Sequence, residues 1–94
     1  MLTRNRSEED AMDHEAALKA LKMDFGAALG LLKIGKKVAR KGWNGKNMWL
    51  MLQVPDAHSK MTLPYIYMFT AQGDLVPWLA SQTDVLAEDW EQVA

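Results

Sequence analysis

Ninety-four residues allow one domain, and 49% hydrophobic content is enough to give it a compact core. The formal net charge of −1 argues against a partner that is a nucleic-acid polymer, and the absence of cysteine excludes disulfides and thiolate chemistry. The longest apolar runs fall far short of a membrane span, and the opening stretch MLTRNRSEEDAMDHE has no apolar signal core. The chain therefore reads as a cytoplasmic protein whose small size favours oligomerisation.

In chain order, residues 1 to about 13 are polar and without periodicity, which predicts a mobile start. Glu15 to Lys22 is rich in helix formers. Residues 1–22 together read as a partly flexible N-terminal extension, and residues 23–94 as a single domain that binds a ligand. Asp24 is placed to cap a helix in which Phe25, Ala28, Leu29 and Leu32 share one face, with Gly35 ending it. The 3-4 spacing of Leu18, Leu21, Phe25, Ala28 and Leu32 also allows one longer helix across Asp24.

Val38 to Lys41 predicts a short strand, and Gly42-Trp43-Asn44-Gly45 a turn that draws on the tolerance of Gly and Asn for positive φ. Met48 to Val54 is almost continuously apolar, the pattern of a strand buried on both faces. Pro55 to Leu63 is a loop. Tyr65, Tyr67 and Phe69 alternate with Ile66, Met68 and Thr70, which puts aromatics on one face of a strand. Leu75 to Leu79 is a short strand, and Pro77 assigns it to an edge or a bulge. Ser81 followed by Asp84 marks the start of a short helix, Gln82 to Glu88. Trp90 to Val93 closes the set as a last strand. The sum is an α+β fold: a small antiparallel sheet of four to five strands, one main N-terminal helix and a short C-terminal helix.

Lys33, Lys36, Lys37, Arg40, Lys41 and Lys46 supply six of the 11 basic residues, whereas Asp74, Asp84, Glu88, Asp89 and Glu91 crowd a C-terminal part that has no Lys or Arg. This asymmetry suits a phosphate-bearing ligand, contact between the two halves or between subunits, or simply a solvated face. Trp43 beside Arg40, Lys41 and Lys46 suits a ligand with both a base and a phosphate. It equally suits a lid folded onto the core. Trp49 and Trp90 are the tryptophans expected in the core, and Trp43 and Trp78, next to turn or breaker residues, the expected ligand platforms. Arg40, Lys41 and the helix start at Ser81 to Thr83 are candidates for a pyrophosphate, and Asp84, Asn44 and Gln82 for ribose hydroxyls.

Catalytic chemistry is harder to build. His14 and His58 have no evident partners, and a Ser81–His58–Asp84 set has no nucleophile motif around Ser81. No zinc pattern, P-loop or GxGxxG is present, so no catalytic residue, metal or cofactor is expected.

ARKGWNGKNMWL, PYIYM and LVPWLASQTDVLAEDW occur in an order that resembles the Thoeris anti-defence proteins of the second type, a family of small phage domains. The similarity covers roughly Met23 to Val93. It implies a non-enzymatic sponge: a homo-oligomer, a dimer of dimers, that hides a cyclic ADP-ribose signal in the cytoplasm of the bacterial host, with some members also holding cyclic dinucleotides. It further implies ligand contacts from Gly42-Trp43-Asn44 and from Trp78, Ser81, Gln82, Thr83 and Asp84, brought together across subunits. The rival readings are a protein-interaction module and a small enzyme that cleaves the same signal.

Overall fold

In the computed structural model the described residues are 22–94. The expectations for residues 1–21, the larger part of the N-terminal extension with His14, lie outside them. Helix α1, Phe25–Lys33, is followed by β1, Lys37–Arg40; β2, Trp49–Gln53; β3, Tyr65–Phe69; β4, Leu75–Pro77; the single-turn helix α2, Gln82–Leu86; and β5, Trp90–Val93. The five strands form one antiparallel sheet in the order β4-β3-β2-β1-β5. The fold is the α+β arrangement expected from the sequence.

Asp24 caps α1: its carboxylate accepts from the Ala27 N–H at 2.8 Å. Gly35, at φ +86°, turns the chain out of the helix. No helix runs on from the extension through Asp24, because Asp24 is extended and Met23 makes a β-bridge to Trp90.

Ala28 and Leu32 of α1 are fully buried against Val38, Leu50 and Trp90 of the sheet. Val38 pairs with Leu50, and Leu50 with Met68, so these side chains share the face that α1 covers. Strand alternation places Trp49, Met51 and Gln53 on the opposite face. Only Leu50 in β2 is buried, so the strand is covered on one face and not on both. The apolar run was a misleading signal because Trp49 and Met51 pack with their strand neighbours in place of a second layer. Pro77 lies in the edge strand β4, as its missing N–H requires. The Pro55–Pro64 loop is organised locally: the Asp56 carboxylate accepts from the His58 N–H at 2.9 Å and from the Ser59 hydroxyl at 3.0 Å.

Candidate functional site

Arg40 ends β1 on the face shared with Val38, and its strand partner is Trp90. That register points the guanidinium at the α2–β5 corner. Arg40 Nη1 donates to Asp84 Oδ1 at 2.8 Å, and Nε to Asp89 Oδ1 at 2.8 Å. Trp43 Nε1 donates to the same Asp84 Oδ1 at 3.1 Å. Asp89 Oδ2 accepts the Gly42 N–H at 2.7 Å. Two carboxylates from the acidic C-terminal part thus hold one cation and one turn from the basic part. The charge asymmetry of the sequence serves, at least here, contact between the two halves.

The Arg40 and Asp84 side chains keep only 16% and 15% of their exposure, so water screens this pair less than an open surface bridge. Burial pushes the Asp84 carboxyl up, but the bonds from Arg40, Trp43 and Ser81 outweigh it and hold the carboxyl below its ordinary value. Asp89 is held low chiefly by Arg40, with the Gly42 N–H assisting against desolvation. Arg40 is raised, through its bonds to Asp89 and then Asp84. All three groups stay ionised near neutrality.

Ser81 caps α2, its hydroxyl accepting from the Asp84 N–H at 3.0 Å. The Asp84 carbonyl in turn accepts from Trp90 Nε1 at 3.0 Å. Asp84 therefore joins α2, the turn and the core through three different atoms. No side chain of α2 is buried. The segment is held through Asp84, not by an apolar face of its own.

Trp43 and Trp78 both pack edge-on against Trp90, with centroids 5.4 Å and 6.1 Å away, and Phe25 lies 5.9 Å from Trp78. Both expected platforms are half-buried, so each is partly a core residue and partly open to solvent. Trp90 is 2% exposed, in keeping with the core role read from sequence, but Trp49 is half-buried on the uncovered face.

The structure brings Arg40, Trp43, Trp78, Ser81 and Asp84 into one connected cluster. Asn44, Gln82 and Thr83 are exposed beside it in sequence and are not part of that network. Sequence reasoning missed Asp89 as a member, because a carboxylate five residues from Asp84 gave no pattern. The one available signal was Gly42. Its φ is not positive, and the only non-glycine residue with positive φ among the described ones is Asn47, at 62°. Gly42 is small because a Cβ there would stand 2.7 Å from Asp89 Oδ2. Gly45 is small because a Cβ would collide with Met48 Sδ and stand 2.8 Å from Ala71 Cβ. Close approach, not turn geometry, fixes both glycines, and the connection from β1 to β2 runs over residues 41–48 instead of a tight turn.

Beside the cluster, on the uncovered face, is a hollow of about 480 Å³ whose lining includes Lys41, Trp43, Asn47, Trp49, Phe69 and Glu91. It offers a cation, an amide and aromatic surface to a small polar ligand. Among the described residues, no three His, Asp or Glu side chains converge as metal ligands would.

The model of the Thoeris anti-defense 2-like domain matches residues 23–93. The chain belongs to that family. A protein of Bacillus phage SP01 named Thoeris anti-defense 2 is 43% identical over 86 residues, spanning 78% of this chain and 97% of that protein. The match to the family domain takes in both ends of the Arg40–Asp84–Asp89 network. Among the described residues, no helix is long and apolar enough to cross a membrane.

Proposed function

We propose that this protein counters a Thoeris-type defence by binding and sequestering a cyclic ADP-ribose-type signal, without cleaving it, as a homo-oligomer in the cytoplasm of the infected bacterium. The observation that carries the reading is the Trp43–Asp84–Arg40 network. It joins two sequence segments that the family resemblance marks for ligand contact, at the rim of a hollow open to solvent. In this reading the exposed part of Trp43 stacks on the adenine, which contributes about 1–3 kcal/mol for a base on an aromatic ring. Asn44, Gln82 and Thr83 meet ribose hydroxyls and phosphate oxygens, and Lys41, exposed next to Arg40, supplies the free positive charge. Arg40 is already engaged by two carboxylates, so its first task is to hold Asp84 and Trp43 in place. Asp84, kept ionised by those bonds, presents an acceptor rather than a general acid. Sequestration requires tight binding and no turnover, which suits such a site.

The test is release. Cyclic ADP-ribose is incubated with excess protein, the protein is denatured by heat, and the supernatant is analysed. Intact nucleotide that is absent from the filtrate before heating and present after it supports sequestration. Its hydrolysis product in place of it would establish an enzyme, and free nucleotide before heating would remove the ligand assignment.

A further inference from the structure

The turn that carries Trp43 is held on both sides of Asn44 and not at Asn44 itself. Before it, the Gly42 N–H donates to Asp89 Oδ2 at 2.7 Å and the Trp43 N–H to the Arg40 carbonyl at 3.3 Å. After it, Gly45 is wedged where a Cβ would collide with Met48 Sδ and stand 2.8 Å from Ala71 Cβ. Asn44 is exposed, and among the described residues no hydrogen bond engages its side-chain amide or the Gly45 N–H. It is also the one asparagine of the chain that precedes a glycine, since Asn5 precedes Arg6 and Asn47 precedes Met48. We infer that Asn44 is a modification site: the Gly45 nitrogen attacks the Asn44 amide, and the asparagine becomes aspartate or isoaspartate without an enzyme.

The Gly45 N–H gives its proton to water, and the nitrogen forms a bond to Asn44 Cγ. The Cγ–Nδ2 bond breaks, and Nδ2 leaves as ammonia with a proton returned from water. The product is a five-membered succinimide. Water then adds to one of its two carbonyls. Opening one way restores the backbone with an aspartate; opening the other way runs the backbone through the former side chain, as isoaspartate. One amide and one water give one carboxylate and one ammonium, and nothing is oxidised or reduced. The step needs an attacking nitrogen that no neighbouring side chain crowds and a backbone free to bring it to Cγ, and glycine supplies both. The short asparagine side chain reaches its own backbone neighbours, as it does in turns. At Asn47 the nitrogen belongs to Met48, whose half-buried side chain hinders the approach. Gly45 cannot be exchanged cheaply to stop the reaction, because Met48 and Ala71 occupy the space of a side chain. The packing that shapes the turn therefore keeps the reactive pair. Its conversion adds a negative charge to a turn bound to the Asp84 and Asp89 carboxylates, and isoaspartate adds a methylene to the backbone beside Trp43. The consequence for binding rests on the proposed function, in which Asn44 meets ribose hydroxyls and phosphate oxygens: a carboxylate in its place repels the phosphates. The candidate site then ages, and the time for which one chain holds nucleotide is limited by its own turn.

Trypsin offers a direct test. Cleavage after Lys41 and Lys46 releases residues 42–46 with Asn44 and leaves Asn47 in the following peptide as an internal control. The folded chain is held in warm neutral buffer and sampled over days, beside a free peptide GWNGK with blocked ends. Circular dichroism checks that the aged chain stays folded. The expected result is that the 42–46 peptide of the folded chain gains one mass unit and becomes a substrate for an isoaspartate methyltransferase, whereas the peptide with Asn47 does not change. Conversion of the free peptide with the folded chain unaltered would overturn the inference, and so would equal conversion at Asn47. Cyclic ADP-ribose is then titrated into the fresh chain, the aged chain and Asn44→Asp. The last two should bind about tenfold more weakly or worse. Equal affinity of the fresh and converted chains would overturn the consequence for binding. A fresh chain that holds no nucleotide refutes the ligand assignment and not the modification, which the peptide decides by itself.

Discussion

Asp84→Ala is the sharpest single perturbation of this fold. It removes the acceptor shared by Arg40 Nη1 and Trp43 Nε1, and with it the contact that Ser81 makes to the carboxylate. The α2 cap survives, because the donor to Ser81 is the Asp84 backbone N–H. The bond from Trp90 survives, because its acceptor is the Asp84 backbone carbonyl. Arg40 keeps Asp89, so no uncompensated charge is left behind and the cost stays below the roughly 3–5 kcal/mol of a broken buried pair. What remains is one charge-assisted hydrogen bond, about 1.5–3 kcal/mol less what water restores at this partly exposed site, and one indole N–H left half-buried without its partner, about 1 kcal/mol. The sum is about 2–3 kcal/mol. For a domain of this size each kcal/mol moves Tm by about 4–8 °C, so Asp84→Ala should melt about 10–20 °C lower. Asp84→Asn keeps an Oδ1 for Trp43 and loses the charge facing Arg40, so it should lose about half as much. Thermal and urea unfolding, followed by circular dichroism, measure both. A Tm for Asp84→Ala within about 2 °C of the parent would show that the network contributes nothing, and the account of how α2 is held would be wrong.

Trp43→Ala removes a half-buried ring that packs on Trp90. It should cost about 2–3 kcal/mol in urea unfolding, under the range for a fully buried aromatic, and weaken nucleotide binding about 5- to 150-fold by isothermal titration. Unchanged affinity at a temperature where the variant is folded would remove Trp43 from the site. Gly42→Ala drives a methyl against an Asp89 carboxylate that Arg40 holds in place and should cost about 1–3 kcal/mol, whereas Gly30→Ala, with nothing within 4 Å of its added methyl, should stabilise by about 0.5–1 kcal/mol; equal melting temperatures for the two would refute the close-approach argument. Asp84 and Asp89 have folded pKa values below their unfolded values, so their contribution is complete above about pH 5 and is lost as pH falls through the depressed folded values. Urea midpoints from pH 7 to pH 2.5 should fall in acid, less steeply in Asp84→Asn; a flat profile for the parent would contradict the bonds.

Local signals were legible in the sequence wherever one residue type has one job. Asp24 and Ser81 cap helices, Pro77 lies at an edge, and the alternation from Tyr65 to Phe69 gave a strand with the right face. What failed were inferences that need the tertiary neighbour. The apolar run Met48 to Val54 does not say whether a second layer covers it. Gly42 and Gly45 read as flexible turn residues because sequence shows backbone freedom but not the Asp89 carboxylate or the Met48 sulfur that crowds them. The candidate site was legible as two separated segments. Their meeting was not, since it depends on β5 returning beside β1 so that Arg40 pairs with Trp90.

The two ends of the sheet decide what kind of assembly is open to this chain. At one end β4 is three residues long and finishes in Pro77, which has no N–H to offer an incoming strand. At the other end, the backbone of β5 begins with Trp90, whose N–H is already taken by the Met23 carbonyl at 3.1 Å. Lengthening the sheet from molecule to molecule, the route by which strand edges grow into fibres, is therefore obstructed at both margins.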